Sequence, residues 1–405
     1  MSFTSLQPLL HRLFQLGVCL TLCLSPTQWS VQPKQNLHLS PADLMLAGTA
    51  TIWLMERLLA RKVCWRLLPH WTHLLFMSLL GLSVFVANDR AIAIKDTLQV
   101  IAYFIIGSAV FDDYLRQGKE DALRTALTVL GCVTLVVLIL ALSQYRSHAC
   151  EPLAVRGTFG NRNVLGGYLA LALPLVFAGV LHVKNRLLQL LLALLLIVGI
   201  STNLAGAAHL AIVGTILCMA ATRGPVTFIP ILALLITWQA IVLPRLPREN
   251  DILHYQTLAL YDESAQITRR YPEWQAAASL ILTHPWLGVG PGNYQKNIGQ
   301  YYDNVPRQTG PAEPDIQNLY LVLAASAGLP ALAAFLAMMV SAIVPSTPRT
   351  KKCDGARPAV AWGAAAALCA FSLTAIWHPL LVRGIGLPLA FTLALARYRP
   401  SGDPL

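Results

Sequence analysis

The sequence predicts an all-α protein, a polytopic transmembrane helical bundle of about 11–12 helices with a long extracytoplasmic loop that carries short helices. Three observations lead to this prediction. Hydrophobic residues make up 56% of the 405 positions, and charged residues make up only 12%. A soluble domain has about 25% charged residues. The apolar residues also fall into runs that are long enough to cross a bilayer. We therefore expect residues 1–405 to form a single integral membrane domain.

The apolar runs set the expected number of spans, because a helix needs about 20 predominantly apolar residues to cross the hydrocarbon core. They lie near residues 9–25, 42–59, 69–87, 91–111, 122–143, 164–182, 186–200, 203–221, 225–243, 317–344, 359–377 and 379–396. In the first run, His11 and Arg12 followed by Leu13–Leu24 resemble a signal peptide, but no small-residue cleavage motif follows, which favours an uncleaved first helix. Only His378 and Pro379 separate the last two runs, so the count stays open.

The distribution of charge predicts the orientation. With the N-terminus in the cytoplasm, the cytoplasmic loops hold most of the Lys and Arg residues of the short loops, as the positive-inside rule requires. Both termini are then cytoplasmic, and residues 144–163 and 244–315 lie on the other side. The net charge of +11 is spread over these loops and forms no basic face or nucleic-acid motif. We expect membrane lipid as a partner and no nucleic acid.

The external segment Val155–Asn163 reads V-R-G-T-F-G-N-R-N and leads into the sixth apolar run. Arg156 and Arg162 place two cations beside a helix N-terminus, which favours anions. Asn161 and Asn163 can cap the helix and leave amide groups available. Two interpretations stay open: a phosphate or pyrophosphate site at the membrane surface, or a helix cap whose arginines contact lipid headgroups.

The long loop, residues 244–315, carries arginines together with many aromatic residues. Arg269, Arg270 and Trp274 precede Gln275–Leu282, whose pattern predicts a short amphipathic helix. A glycine-rich turn follows. Arginine beside aromatic residues suits a sugar that is linked to a phosphate. The alternative is that these Trp and Tyr residues belong to the interfacial aromatic belt.

The region 150–345 resembles the O-antigen ligase / O-antigen polymerase family of bacterial inner-membrane proteins. Three motifs carry the resemblance in order and spacing. The first motif is Arg156–Asn163 followed by Leu165–Leu169 and Leu173-Pro174; the second is Arg270, Trp274 and His284–Gly290; the third is Gln317–Leu321 followed by Gly328-Leu329-Pro330.

The resemblance implies a glycosyltransferase of the inner membrane that needs neither metal nor cofactor. Such an enzyme takes a glycan from a polyprenyl-pyrophosphate carrier such as undecaprenyl pyrophosphate, and passes it to a lipid A-core or glycan acceptor in lipopolysaccharide or other cell-envelope polysaccharide biosynthesis. Arginines can neutralise the charge on the leaving pyrophosphate. The candidate catalytic residues are Arg156, Arg270 and Gln317, and the candidate substrate-binding residues are Asn161, Arg162, Asn163, Arg269, Trp274 and Asn318.

Two positions depart from the family pattern. The family usually has His before the Asn of the third motif, but Gln317 stands here, and a carboxamide cannot accept a proton at neutral pH. A Ser-Arg-Gly-type sequence is expected after the first motif, but Asn203–Ala207 contains no arginine. His254, His284 or Asp315 could substitute for the missing base. Two alternatives therefore stay open: a divergent relative that binds lipid-linked glycan without catalysis, or a solute or bicarbonate transporter.

Overall fold

The computed structural model describes residues 3–29, 31–34, 37–60, 69–147, 155–237, 270–301, 317–346 and 356–398. These ranges are predominantly helical, so the predicted all-α class is confirmed. The helices are α1 (Phe3–Leu24), α2 (Pro41–Leu59), α3 (Trp71–Ser83), α4 (Arg90–Ile101), α5 (Ser108–Ser147), α6 (Arg162–His182), α7 (Arg186–Thr202), α8 (Gly206–Thr222), α9 (Pro225–Thr237), α10 (270–283), α11 (Tyr294–Ile298), α12 (Leu319–Ser346), α13 (Ala356–Thr374) and α14 (Gly386–Arg397). A π-helical segment, Ala102–Gly107, joins α4 to α5, and a small antiparallel hairpin of β1 (Val31–Lys34) and β2 (Leu37–Leu39) joins α1 to α2.

Length and composition identify the membrane-spanning candidates among the described helices. Four helical stretches are long and apolar enough to cross a bilayer: Arg90–Gly118, Glu120–Gln144, Arg162–His182 and Leu319–Ile343. Six shorter apolar helices accompany them: Trp71–Val86, Arg186–Thr202, Gly206–Thr222, Pro225–Thr237, Pro358–Thr374 and Gly386–Arg397. The chain is therefore a polytopic membrane protein, and the number of spans stays a prediction.

Two boundaries differ from those expected. Residues 112–121, which were expected to form a loop between two spans, are helical, because α5 continues through them. Long polar side chains such as Gln117 and Glu120 have high helix propensity, which explains the continuation. Residues 379–385 were expected to begin the last span but form a loop. Pro379 lacks a backbone N–H, and Gly384 has a φ of +85°, which is incompatible with a helix.

Helix α6 lies at the centre of the bundle, with 83% of its most apolar window buried. Small residues let its neighbours approach closely. A Cβ on Gly166 would lie 2.8 Å from the Cβ atoms of Ala205 and Ala208, and a Cβ on Gly199 of α7 would lie 2.7 Å from Leu173. Such close packing is typical of membrane helices, whose association depends on van der Waals contact rather than on the hydrophobic effect.

Helix α7 has an exposed apolar face. Leu187, Leu190, Leu191 and Leu194 are all exposed, and their spacing places them along one side of the helix. A continuous apolar stripe would be unfavourable in water. Its exposure agrees with a helix that faces lipid.

The described part of the long loop, residues 270–301, contains the predicted short helix. Helix α10 covers Gln275–Leu282, with Ala277 and Leu280 buried and Leu282 exposed. The amphipathic helix expected from the sequence is therefore confirmed.

A kink in α12 holds the turn that follows α10. Gly328 has φ 85° and ψ 167°, far from helical values. The carbonyl oxygens of Ala325 and Ser326, just before the kink, accept hydrogen bonds from the N–H groups of Val289 at 3.0 Å and Gly290 at 2.9 Å. The second motif is thus fixed to the helix that carries the third.

Candidate functional site

The loop between α13 and α14, residues 375–385, is the place where the three motifs meet; we call it the junction loop. Helix α13 runs antiparallel to α6, because a Cβ on Gly363 near the start of α13 would lie 2.6 Å from Ala178 near the end of α6. The junction loop therefore lies at the end of the bundle where α6 begins. Every motif described below contacts it.

The first motif is fixed to α5 by one glutamine. The Gln144 Oε1 accepts hydrogen bonds from the N–H groups of Arg156 at 2.9 Å and Gly157 at 2.7 Å, while its Nε2 donates to the Gly157 carbonyl at 2.8 Å. Gly157 has a φ of +59°, which favours glycine.

The same motif then packs against the junction loop at two points. A Cβ on Gly384 would lie 2.9 Å from Phe159 Cε1, and a Cβ on Gly167 would lie 2.8 Å from Leu380 Cδ2. The beginning of α6 therefore packs directly against this loop.

The predicted residues of the first motif take different positions. Asn161 caps α6, because its Oδ1 accepts from the Val164 N–H at 2.9 Å. The Asn163 Oδ1 is buried without a hydrogen-bond partner among the described residues. Arg162 is half-buried, whereas Arg156 is exposed and its Nη1 lies 3.5 Å from the Gly160 oxygen. Arg156 thus lies at the outer surface of the motif and Arg162 at its inner side.

The second motif inserts a buried arginine beside the junction loop. Arg270 is only 5% exposed, and its Nη1 donates to the Trp377 carbonyl at 3.3 Å. Its guanidinium carbon lies 5.8 Å from the centroid of the Trp377 ring, within the range of a cation–π interaction. The Trp274 ring also lies 5.8 Å from that ring, and its Nε1 is buried with no hydrogen-bond partner in the described part of the chain. Arg269 lies outside the described residues.

The third motif reaches the junction loop through its backbone. The Leu319 N–H donates to the Ala375 carbonyl at 2.9 Å. The Asn318 Oδ1 accepts from the N–H groups of Tyr320 at 2.9 Å and Leu321 at 3.1 Å, so Asn318 caps α12. Gln317 is half-buried immediately before this cap.

His378 is a residue of this site that the sequence reasoning missed. The side chain is 1% exposed in the middle of the junction loop. Burial, together with the nearby positive charges of Arg270 and then Arg162, lowers the pKa of His378 to about 3. His378 was interpreted only as a separator between two spans. The available signal was a His-Pro pair at the predicted external end of both spans.

The segment 203–205, between α7 and α8, also borders the site. The Asn203 Oδ1 accepts from the Ala205 N–H at 3.2 Å and would lie 3.2 Å from a Cβ on Gly166. The Asn203 Nδ2 is buried without a partner among the described residues. This is the segment where the family resemblance leads one to expect an arginine, so the site has an amide where a cation was expected.

The arrangement favours an anion. The positive charges of Arg162 and Arg270 act on the neutral imidazole of His378. Helices α6 and α12 both begin at this end, where the helix dipole is positive. A third cation near the site is Arg383 of the junction loop. Its Nε lies 3.6 Å from the Asp43 Oδ2, so the carboxylate neutralises its charge in part. Among the described residues, no group of three or more His, Cys, Asp or Glu side chains is placed to hold a metal ion.

Comparison with protein families gives a match over the central part of the chain. Residues 162–336 match the family model described as O-antigen ligase. The match begins at the first residue of α6, ends within α12 and includes the second and third motifs, whereas the junction loop lies beyond it. The comparison with curated proteins gave no significant match. Residues 162–336 are therefore similar to the O-antigen ligase family, in agreement with the resemblance that the motifs indicated.

Proposed function

We propose that the protein transfers a glycan from a polyprenyl-pyrophosphate carrier to a lipid-core or glycan acceptor at the outer face of the cytoplasmic membrane. The observation that carries the proposal is the convergence of all three family motifs on the junction loop. Arg270 of α10 donates to the Trp377 carbonyl, the charge of Arg162 of α6 acts on His378, and the Leu319 N–H of α12 donates to the Ala375 carbonyl.

The chemistry of the donor suits this convergence. The bond that breaks joins the anomeric carbon of the glycan to the pyrophosphate, and negative charge grows on the leaving group. Cations that are fixed in a partly dehydrated site stabilise that charge more strongly than water does. Arg270 is buried and held by the Trp377 carbonyl and ring, so its guanidinium is fixed before the donor arrives.

A second candidate function is binding of a lipid-linked glycan without transfer. Two observations favour it: Gln317 stands where the family has a histidine, and Asn203–Ala207 lacks the expected arginine. Both candidates use the same anion site, and they differ only in whether the acceptor hydroxyl loses its proton there.

The test is glycan transfer by the full chain in reconstituted membranes, with a polyprenyl-pyrophosphate oligosaccharide as donor. Wild type is compared with Arg270→Ala, Arg162→Ala, Arg156→Ala and Gln317→His, and with Arg186→Ala as the matched control. Arg186 is an exposed arginine at the start of α7, at the opposite end of the bundle.

The proposal predicts that Arg270→Ala lowers the transfer rate by about 10²-fold or more, as loss of a transition-state charge partner does. Arg162→Ala should lower it in the same direction, and Arg186→Ala should leave it unchanged. Absence of transfer by wild type together with gain of transfer by Gln317→His would favour the binding function. Equal rates for Arg270→Ala and Arg186→Ala would reject the site.

A further inference from the structure

We propose that His378 accepts the proton of the acceptor hydroxyl in this site, a role that Gln317 cannot fill. We call it anion-responsive because a bound pyrophosphate makes it more basic. This inference rests on the proposed function, because it assigns a residue to the same transfer reaction. A direct displacement needs a group that accepts the proton of the acceptor hydroxyl. Gln317 offers an amide oxygen that can orient a hydroxyl but cannot hold its proton at neutral pH.

His378 lies in a segment that is adjacent to the one carrying Gln317. The Leu319 N–H bonds to the Ala375 carbonyl, so the chain segments that carry Gln317 and His378 are adjacent. Arg270 donates to the carbonyl of the residue directly before His378. His378 therefore lies between the arginine of the second motif and the first turn of the third. His284, by contrast, is exposed in the turn after α10.

His378 has the protonation state that a general base needs. A general base must be neutral before the reaction, and the buried imidazole of His378 beside two guanidinium groups is neutral at physiological pH. The charged groups on the elements around it are Arg162 of α6, Arg270 and the half-buried Glu273 of α10, and the Arg383–Asp43 pair of the junction loop and α2.

Binding of the donor changes the charge around His378. A pyrophosphate that binds between Arg162 and Arg270 replaces a positive field at the imidazole with a field that is close to neutral or negative. An opposite charge nearby favours the protonated form of histidine. The basicity of His378 then rises when the donor is in place.

In the transfer step, one bond to the anomeric carbon forms while another breaks. The acceptor oxygen forms a bond to the anomeric carbon, and the electron pair of the carbon–oxygen bond to pyrophosphate leaves with that group. The proton of the acceptor hydroxyl moves to the unprotonated ring nitrogen of His378. When the pyrophosphate carrier leaves, the two arginines again disfavour the imidazolium, and the proton returns to water or departs with the carrier.

Two readouts in nanodiscs test this role, each with wild type, His378→Asn and the matched control His70→Asn, which replaces an exposed histidine at the start of α3. The first readout is transfer, followed from pH 5.5 to 8.5. We expect His378→Asn to lower kcat by about 100-fold or more while KM for the donor stays within about threefold, because general bases contribute about 10²–10⁴-fold. The double variant His378→Asn with Gln317→His should recover at least tenfold.

The second readout needs no turnover. Calorimetry of farnesyl pyrophosphate binding in two buffers of different ionisation enthalpy measures the protons taken up on binding. Because pyrophosphate offsets the positive charges of Arg270 and Arg162 but not the burial of the imidazole, the pKa of His378 should rise on binding, and wild type should take up more protons than His378→Asn at pH 5.5. His70→Asn should match wild type.

The outcomes separate the inference from the proposed function. Transfer by His378→Asn within threefold of wild type would overturn the inference and leave the transferase intact. A large rise in donor KM without a fall in kcat would also overturn it, since that pattern marks a structural role. If wild type shows no transfer, the proposed function fails. The proton count then decides alone: a larger proton uptake by wild type than by His378→Asn supports His378 as the anion-responsive group, and no difference rejects it.

Discussion

Replacing Gly328 with alanine should release the second motif from α12. The backbone of Gly328 has φ 85° and ψ 167°, a region that is open essentially to glycine alone. A Cβ at this position would lie 2.1 Å from the Trp286 carbonyl oxygen, which is backbone and cannot rotate away. Either the kink must straighten or the turn that contains Trp286 must move.

The expected loss of local stability in Gly328→Ala has two parts, backbone strain and weakened hydrogen bonds. Backbone strain of this kind costs about 1–3 kcal/mol. Moving the turn also weakens three hydrogen bonds: Val289 N–H to Ala325 O, Gly290 N–H to Ser326 O, and Leu329 N–H to Pro285 O at 2.8 Å. Each contributes about 0.5–1.5 kcal/mol. The local loss is therefore about 3 kcal/mol or more, which corresponds to about 100-fold in an opening equilibrium at 1.4 kcal/mol per tenfold.

Hydrogen–deuterium exchange of the peptide that spans Val289 and Gly290 measures this equilibrium. In Gly328→Ala these amides should exchange about 100-fold faster than in wild type. The control is Gly214→Ala in α8, where an added Cβ would meet nothing within 4 Å and should stabilise the helix by about 0.5–1 kcal/mol. Unchanged protection in Gly328→Ala would show that Gly328 does not hold the turn against α12.

Two further predictions concern stability. Asp113→Ala should destabilise the fold by about 3–5 kcal/mol in unfolding titrations, because it leaves the buried Arg57 without the carboxylate that its Nε contacts at 2.8 Å. Glu120→Ala, which breaks the exposed pair with Arg124, should cost less than about 1 kcal/mol, and equal costs would contradict the argument. Thermal stability should also fall as pH drops from about 6.5 towards 3, because the unfolded His378 binds a proton that the folded one, with a pKa of about 3, does not. His378→Asn should flatten that pH dependence, and an unchanged slope would show that other groups cause it.

The spans could be predicted from the sequence because their signal is local. Long apolar runs specify helices wherever water is absent, so α6 and α12 appeared close to their predicted positions. The boundary at residues 379–385 was misplaced for the opposite reason. Leu380–Val382 are apolar and read as a span, and the effect of Pro379 and of the positive φ of Gly384 depends on backbone geometry.

The site could be predicted only in its parts. The motifs indicated Arg270 and Trp274, but nothing in their spacing indicated that both would contact Trp377, about a hundred residues later in the chain. Such contacts depend on which helices pack together. The role of Asn318 was open for the same reason: an asparagine before an apolar run suits a cap or a ligand, and here its Oδ1 caps α12.

Photolabelling shows directly whether the pyrophosphate of the donor binds at the junction loop. The full chain in nanodiscs is labelled with a polyprenyl-pyrophosphate analogue that carries a diazirine next to the pyrophosphate, and the labelled peptides are mapped. We expect label on residues 375–385 or on the first turn of α6, competed by unlabelled polyprenyl pyrophosphate and reduced by Arg270→Ala. Competed label at the opposite end of the bundle, near Arg186, with none on the junction loop, would contradict binding at the junction loop.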